Sequence, residues 1–476
     1  MLEVAEVSED RSLLVSEYQW CLEEFADVEL QDARLNRRCG ELAVQLAMQP
    51  SEPINHACED WADTKAAYRF FNNEKVTPEE LLKPHRQRTI SRMAEHPVVL
   101  AVQDTSFLNF THHPKTKGLG AIGNKTQKQQ GFGMHSTLAV TPKGLPLGLL
   151  TQDFFHRDPD EPSHRPQDCR KLPIEEKESY RWLQAFEQTV LLAPSGVDVI
   201  TVCDREADIY EMLVLAQQKD TGLVVRASTD RALVDKDWNK LWCKVENQPV
   251  VETQILVVPK KGQQEKRTAT VTVRFTTAAL RPPWRPKGKK LPVITLNAVL
   301  VREDNPPPDV TPIEWLLLTN TPVESTEDAL QIVQWYSCRW QIEVFHKVLK
   351  SGCTVEDCRL QTAERLQSYI AMMSVIAWRL HWITHLNRSE PDQPCTLVLT
   401  TIEWQALFMR IHKSARLPDT VPTVHQAVRW IAQLGGFLGR KSDGEPGITT
   451  IWRGWQRLQD IAATWYLVSD QAQRCG

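Results

Sequence analysis

The stretch WYSCRWQIEVFHKVLK, Trp335 to Lys350, decides the reading of this chain. On a helix advancing about 100° per residue, Tyr336, Arg339, Glu343, Lys347 and Lys350 fall within an arc of roughly 80°. Trp335, Ile342, Phe345 and Leu349 gather on another face. The spacing predicts a helix over Thr326 to Ser351 that buries an apolar side and aims a phenol, one carboxylate and three cations in one stripe. A solvated face also mixes Glu with Lys, and Glu343 with Lys347 at i,i+4 is ordinary helix support. Solvation does not account for Trp340, a large aromatic beside the charged stripe. Phosphate contacts from Arg, Lys and Tyr, with an aromatic for base stacking, account for the whole set.

Upstream of that helix the pattern is one of short apolar runs. Val98 to Val102, Met134 to Val140 and Gly144 to Leu150 read as strands, the last two joined through a turn at Pro142. Helical stretches at about 174–192 and 208–218 alternate with strands at 197–203 and 222–226, which suggests a mixed sheet with helices on its faces. β-like pieces from about 232 to 322 interrupt the alternation. Asp104 and Asp204 are each expected where a buried strand ends, the place where a sheet exposes polar groups to a shared cleft. Taken singly, a turn or a helix cap accounts better for either acid. Two such ends in one sheet, with Glu343 from a helix, suit a divalent cation: Mg²⁺ takes a few carboxylates together with waters and phosphate oxygens.

The 476 residues are enough for two or three domains. Residues 1 to about 80 read as a small helical domain, and 387–394, rich in Pro and polar residues, as a linker to a helical C-terminal part. Lys plus Arg is 56 and Asp plus Glu is 60, so the average charge predicts no polyanion partner, and any DNA contact must come from local patches. One such patch is Arg34, Arg37 and Arg38, after 32 residues that hold ten acids and one base; another is the run from Lys260 to Lys290, read mostly as a solvated hairpin tip. The eleven cysteines contain no C-x-x-C pair, which argues against a zinc ribbon or a disulfide framework and for a reducing cytosol. Leu366 to Trp378 is the longest apolar candidate and is too short to span a bilayer. No phosphate-binding G-x-x-x-x-G-K-[ST] loop is present, so no nucleotide cofactor is expected. Trp455, Leu458, Ala462 and Trp465 recur at helical spacing and are explained first as a buried stripe within one chain.

Asp104-Thr105-Ser106, Cys203-Asp204-Arg205-Glu206-Ala207-Asp208 and Tyr336-x₂-Arg339-x₃-Glu343-x₆-Lys350 together resemble the DDE transposases of the insertion-sequence-four family. The likeness extends to Ala66-Ala-Tyr-Arg-Phe-Phe, Asn305-Pro-Pro, Trp315-Leu-Leu-Leu-Thr319 and Leu434-Gly-Gly-Phe437, in the same order along nearly the whole chain. It implies an α/β fold: an RNase H-like (retroviral integrase-like) core over 81–388 with a β-rich insertion at about 232–322. Helical domains would flank it, 1–80 for transposon-end binding and 389–476 for dimerisation and synapsis. By the same resemblance Asp104, Asp204 and Glu343 are the catalytic, metal-binding acids for two Mg²⁺ ions, with Mn²⁺ as a substitute. Tyr336, Arg339, Lys347 and Lys350 would grip phosphates. Trp315 would stack on a flipped base with help from Trp340, Arg226 would lie near the transposon end, and Arg34, Arg37 and Arg38 would read the terminal repeat. The implied partners are double-stranded DNA, as transposon ends and as target, and a second copy of the chain. A DNA-binding regulator without catalysis, and a nuclease without strand transfer, are the competing readings.

Overall fold

The computed structural model describes residues 19–58, 60–123, 128–157, 172–258, 267–284, 290–440 and 443–474. Among them, ten strands form one sheet in the order β2-β3-β1-β5-β6-β10-β9-β8-β7, with β4 pairing β3. The strands are β1 (Val98–Asn109), β2 (Gly120–Ile122), β3 (Gln129–Val140), β4 (Pro146–Phe155), β5 (Asp198–Cys203), β6 (Gly222–Arg226), β7 (Glu252–Val258), β8 (Arg267–Leu280), β9 (Ile294–Arg302) and β10 (Glu314–Thr319). β5 runs parallel to both β1 and β6, and the other pairings are antiparallel. β1 and β5 are apolar on both faces because helices cover both sides, so their sequences read as continuous rather than alternating. The expected mixed sheet is therefore present.

Among the described residues, four helices of more than one turn precede the sheet: α1 (Gln19–Phe25), α2 (Ala33–Met48), α3 (Trp61–Phe71) and α4 (Pro78–Met93). α5 (Tyr180–Leu192) carries the chain back to β5, and α6 (Tyr210–Lys219) joins β5 to β6. After β10 come α7 (Thr326–Ser337), α8 (Trp340–Lys347), α9 (Ala363–Ser389), α10 (Thr401–His412), α11 (Val424–Leu434) and α12 (Ile448–Arg474); short turns are left unnumbered. α9 contains the uncharged run 366–378 and is buried almost all round, packing on α4, β4, α8 and α11. No helix among the described residues is long and apolar enough to cross a membrane.

Three expectations need correction. Asp104 does not end a strand: β1 continues to Asn109, and what stops after Val102 is its pairing with β5, while its pairing with β3 runs on. The β-like pieces of 232–322 continue the same sheet, since β10 is hydrogen-bonded to β6 and extends it through β9, β8 and β7. The linker is shorter than 387–394, because α9 runs to Ser389.

Most consequential, the single helix expected over Thr326 to Ser351 is three pieces. α7 stops at Ser337, and the amides of Cys338, Arg339, Gln341 and Ile342 then reach back three residues rather than four, tightening the chain into an elbow. Gln334 Nε2 and Cys338 Sγ both donate to the Pro142 carbonyl, at 3.3 and 3.5 Å, and tie this elbow to the β3–β4 turn. Beyond α8, Val348–Gly352 is a π turn, closed by Cys353 N–H on Val348 O at 2.8 Å. Tertiary contacts have overridden a periodicity that local sequence alone satisfies.

Of the Lys260 to Lys290 run, 260–266 and 285–289 lie outside the described residues, as do residues 1–18 of the acidic N-terminal segment.

Candidate active site

The β1/β5 register pairs Val102 with Val202, so Asp104 and Asp204 each follow that pair by two residues on adjacent parallel strands. Asp204 caps a short 3₁₀ turn, accepting from Glu206 N–H at 2.8 Å, as the cap reading allowed. Burial pushes the Asp204 carboxyl above its ordinary value; the Asp104 and Glu343 carboxylates push the same way, against the Glu206 amide and Arg339. Three acids from two strands and one helix therefore share one electrostatic neighbourhood. Glu206 joins them, raised by burial and then by Asp204 and Asp104.

Arg339, at the elbow, pairs with Glu343 Oε1 one helical turn ahead. Arg226 is half-buried at the end of β6, donates to the Glu314 carbonyl at 2.8 Å and lies beside Tyr336; its buried Nε has no hydrogen-bond partner among the described residues. Asp208 holds the segment after β6 by accepting from Ser228 N–H, Thr229 N–H and Arg231. Tyr336 is itself buried, and its ring meets Trp315 edge-on at 5.1 Å. Trp335, Ile342, Phe345 and Leu349 are buried as expected. Lys350, on the π turn, donates to Phe107 O at 2.8 Å and so ties the end of α8 to β1.

Lys347 is exposed and stands apart from this cluster, and Trp340 is half-buried at the start of α8. Among the described residues no ring contact joins Trp340 to Trp315. The single stripe of five side chains thus becomes a buried phenol, an ion pair, an anchored lysine and one solvated lysine.

The donor chemistry fits a hard divalent cation, because neighbouring carboxylates add to the burial that raises Asp204 and Glu206, and oxygen-rich sites suit Mg²⁺. The present side-chain arrangement does not hold one: among the described residues no three His, Cys, Asp or Glu groups converge on a common point. Glu343 is turned onto Arg339 instead.

Two histidines escaped the sequence reading. His346 on α8 places Nδ1 3.6 Å from Asp104 Oδ2, and His135 on β3 contacts Thr105 Oγ1 through Nδ1 at 2.9 Å. Burial holds His135 down to about 3. His346 lies inside the quoted stretch, three residues after Glu343, and that spacing was the available signal. His135 carried none.

In the N-terminal helices, Arg34 and Arg37 are exposed on α2. Arg38 is half-buried and bound to Asp63 of α3 at 3.0 Å and to Glu41 at 3.3 Å. α3 instead exposes Trp61, Lys65, Tyr68 and Arg69. At the other end, Trp455, Leu458 and Ala462 are buried within the chain and Trp465 is half-buried, so most of that stripe is monomer core.

Three family profiles match the chain. Residues 17–76 match the family described as Transposase DNA-binding, 243–380 the Transposase DDE domain, and 375–468 the Transposase Tn5 dimerisation domain. The DDE match includes Glu343, Tyr336 and Lys350, while Asp104 and Asp204 lie before its start. Together they support a transposase that binds DNA and dimerises, in the nuclease and strand-transferase class. With DNA-binding, DDE and dimerisation segments in that order along one chain, this protein belongs to the Tn5-like DDE transposases.

Proposed function

We propose that this chain performs cut-and-paste transposition: as a dimer it binds terminal inverted repeats, cleaves each end through a hairpin, and transfers the 3′ ends into target DNA. One observation carries the reading, the shared neighbourhood of Asp104, Asp204 and Glu343 beside Arg339. The sheet around β1, β5 and β6 is read as an RNase H-like core. Residues 1–80, 81–388 and 389–476 are read as end-binding, catalytic and dimerisation domains.

Mg²⁺ held by the three acids (two ions, with Mn²⁺ as a substitute) would supply Lewis acidity to the attacked phosphate and lower the pKa of the attacking hydroxyl. In the first step a water oxygen bonds to phosphorus, the P–O3′ bond breaks, and the departing 3′ oxygen takes up a proton. That 3′ hydroxyl then attacks the opposite strand and closes the hairpin, displacing the flanking DNA. A second water attacks the hairpin phosphate and expels the transposon 3′ oxygen, which takes up a proton, and the restored 3′ hydroxyl then attacks a target phosphodiester and expels the target's 3′ oxygen, which takes up the proton. Arg339, Lys350, Arg226 and Tyr336 are suited to grip phosphates through this sequence. Trp315 would receive a flipped base, whose extrusion costs a few kcal/mol, with Trp340 assisting. A phosphate reaching Arg339 would compete with Glu343 for the guanidinium and free that carboxylate for the cation. Arg34 and Arg37 are suited to the terminal repeat, with Lys65 and Arg69 beside them.

The test is a supercoiled plasmid carrying the DNA that flanks the gene on both sides, incubated with protein, with and without Mg²⁺. Metal-dependent release of the segment with hairpin or joined ends, and none with Asp204→Ala, is the expected result. The engaged Glu343 favours one alternative, a DNA-binding regulator without catalysis. Specific end binding with no cleavage in Mg²⁺ or Mn²⁺ would decide for that alternative.

A further inference from the structure

Away from the acids, His381 and His385 stand one turn apart on α9. His381 is 2% exposed, and neither of its ring nitrogens has a hydrogen-bond partner among the described residues. Nδ1 of half-buried His385 is in the same condition. Three orphaned imidazole nitrogens on adjacent turns of one helix are unusual, because buried polar atoms are almost always satisfied and each one left alone is destabilising. Burial first, then the neighbouring His385, brings His381 down to about 3; burial and Arg388 bring His385 down to about 4. Both rings are thus neutral at physiological pH, with lone pairs available.

Neutral imidazoles at i and i+4 on one helix face form a chelating pair for borderline-soft divalent ions. The surroundings close over His385. A Cβ at Gly144, in the β3–β4 turn, would fall 2.9 Å from His385 Nε2 and 3.0 Å from Gln341 Nε2, so only glycine lets the turn rest there. No third His, Cys, Asp or Glu converges on the pair among the described residues. Without carboxylates the pair is poorly matched to Mg²⁺, and water or the Gln341 carboxamide oxygen would complete the shell.

We propose that His381 and His385 bind one divalent transition-metal ion of the Zn²⁺ class, at a site separate from the three acids. The β3–β4 turn above it also holds Gln334 and Cys338 through the Pro142 carbonyl, so an ion there would pin α9 to the elbow that carries Arg339.

The experiment titrates the full chain with Zn²⁺ in excess Mg²⁺ by calorimetry and repeats it with Co²⁺, following the visible absorption. Wild type is expected to bind one more equivalent of Zn²⁺ than His385→Gln or His381→Phe, and to show a Co²⁺ band that both variants lack. His385→Gln, at the half-exposed position, keeps the test valid if His381→Phe fails to fold. Asp204→Ala should keep the extra equivalent. Equal stoichiometry in wild type and His385→Gln, or loss of that equivalent in Asp204→Ala, overturns the proposal. Neither result bears on whether the chain is an active transposase.

Discussion

Asp204 is a residue whose charge the fold opposes. Its folded value is raised by burial and by two neighbouring carboxylates, whereas an unfolded Asp keeps its ordinary value. The native state therefore binds the extra proton in the window between the two, and stability falls as pH rises through it. Asp204→Asn should leave Tm at neutral pH unchanged or higher while strand cleavage drops about 10³-fold, the size expected for several kcal/mol of lost charge stabilisation. A lower Tm would mark Asp204 as a structural cap. Arg339→Ala should divide two properties that a purely structural ion pair would not. Cleavage of end DNA falls about 10²-fold, while Mn²⁺ binding to the DNA-free protein, followed by electron paramagnetic resonance, tightens because Glu343 is released. Weaker Mn²⁺ binding in that variant would refute the competition between phosphate and Glu343. At i,i+4 the sequence offered Glu343 the partner Lys347, whereas the fold gives it Arg339, and the pairing of Arg38 with Asp63 had no local signal because it joins two different helices.

Helices and strands came through at different fidelity. The expected strand from Gly222 to Arg226 matches what forms, because a short buried run is a local statement. The helix expected over Thr326 to Ser351 broke at an elbow held by a turn nearly two hundred residues away in sequence, which no local period encodes. α11 and α12 show how closely elements pack here. A Cβ at Gly454 would lie 1.7 Å from Ile431 O, and one at Gly435 1.9 Å from Thr450 O, so the two helices cross backbone on backbone. Gly454→Ala must push them apart and should destabilise the C-terminal part by about 2 kcal/mol or more, read as a lower Tm or early proteolysis of α12. An unchanged Tm would mean that the crossing is not tight in solution.

At the scale of the whole molecule, one buried cluster joins the N-terminal helices to the sheet and to α9. Leu149 N–H donates to His85 Nε2 at 3.0 Å, so Nδ1 carries the proton and donates to Glu24 at 2.5 Å. Arg92 bonds Glu24 at 2.7 Å and lies 4.4 Å over the Trp378 ring. Burial alone would raise Glu24, yet His85 and Arg92 together bring it down to about 2. An unfolded Glu stays near its ordinary value, so this acid contributes stability above that value and loses it as pH falls toward about 2. Glu24→Gln should cost about 3 kcal/mol at pH 7, with the gap to wild type narrowing below pH ~4.5, measured by urea unfolding at several pH values. A gap that does not change with pH would show that packing, not charge, holds the joint. Glu24 also gives one of the ten early acids a role unconnected with DNA.

Sequence alone determined what depends on neighbours along the chain: apolar runs that become β1 and β5, the acids just beyond their paired segments, the capped helices, and the residues of the Tyr-Arg-Glu-Lys spacing. Only the tertiary structure decided that β10 returns to β6 and lengthens one sheet, that Glu343 rests on Arg339 rather than opening toward Asp104 and Asp204, and that Lys350 is anchored on Phe107. The reason is physical. Secondary structure follows from periodicity and capping within a few residues, whereas strand order and ion-pair choice follow from which distant surfaces bury each other best, and competing partners there differ by only about 1 kcal/mol.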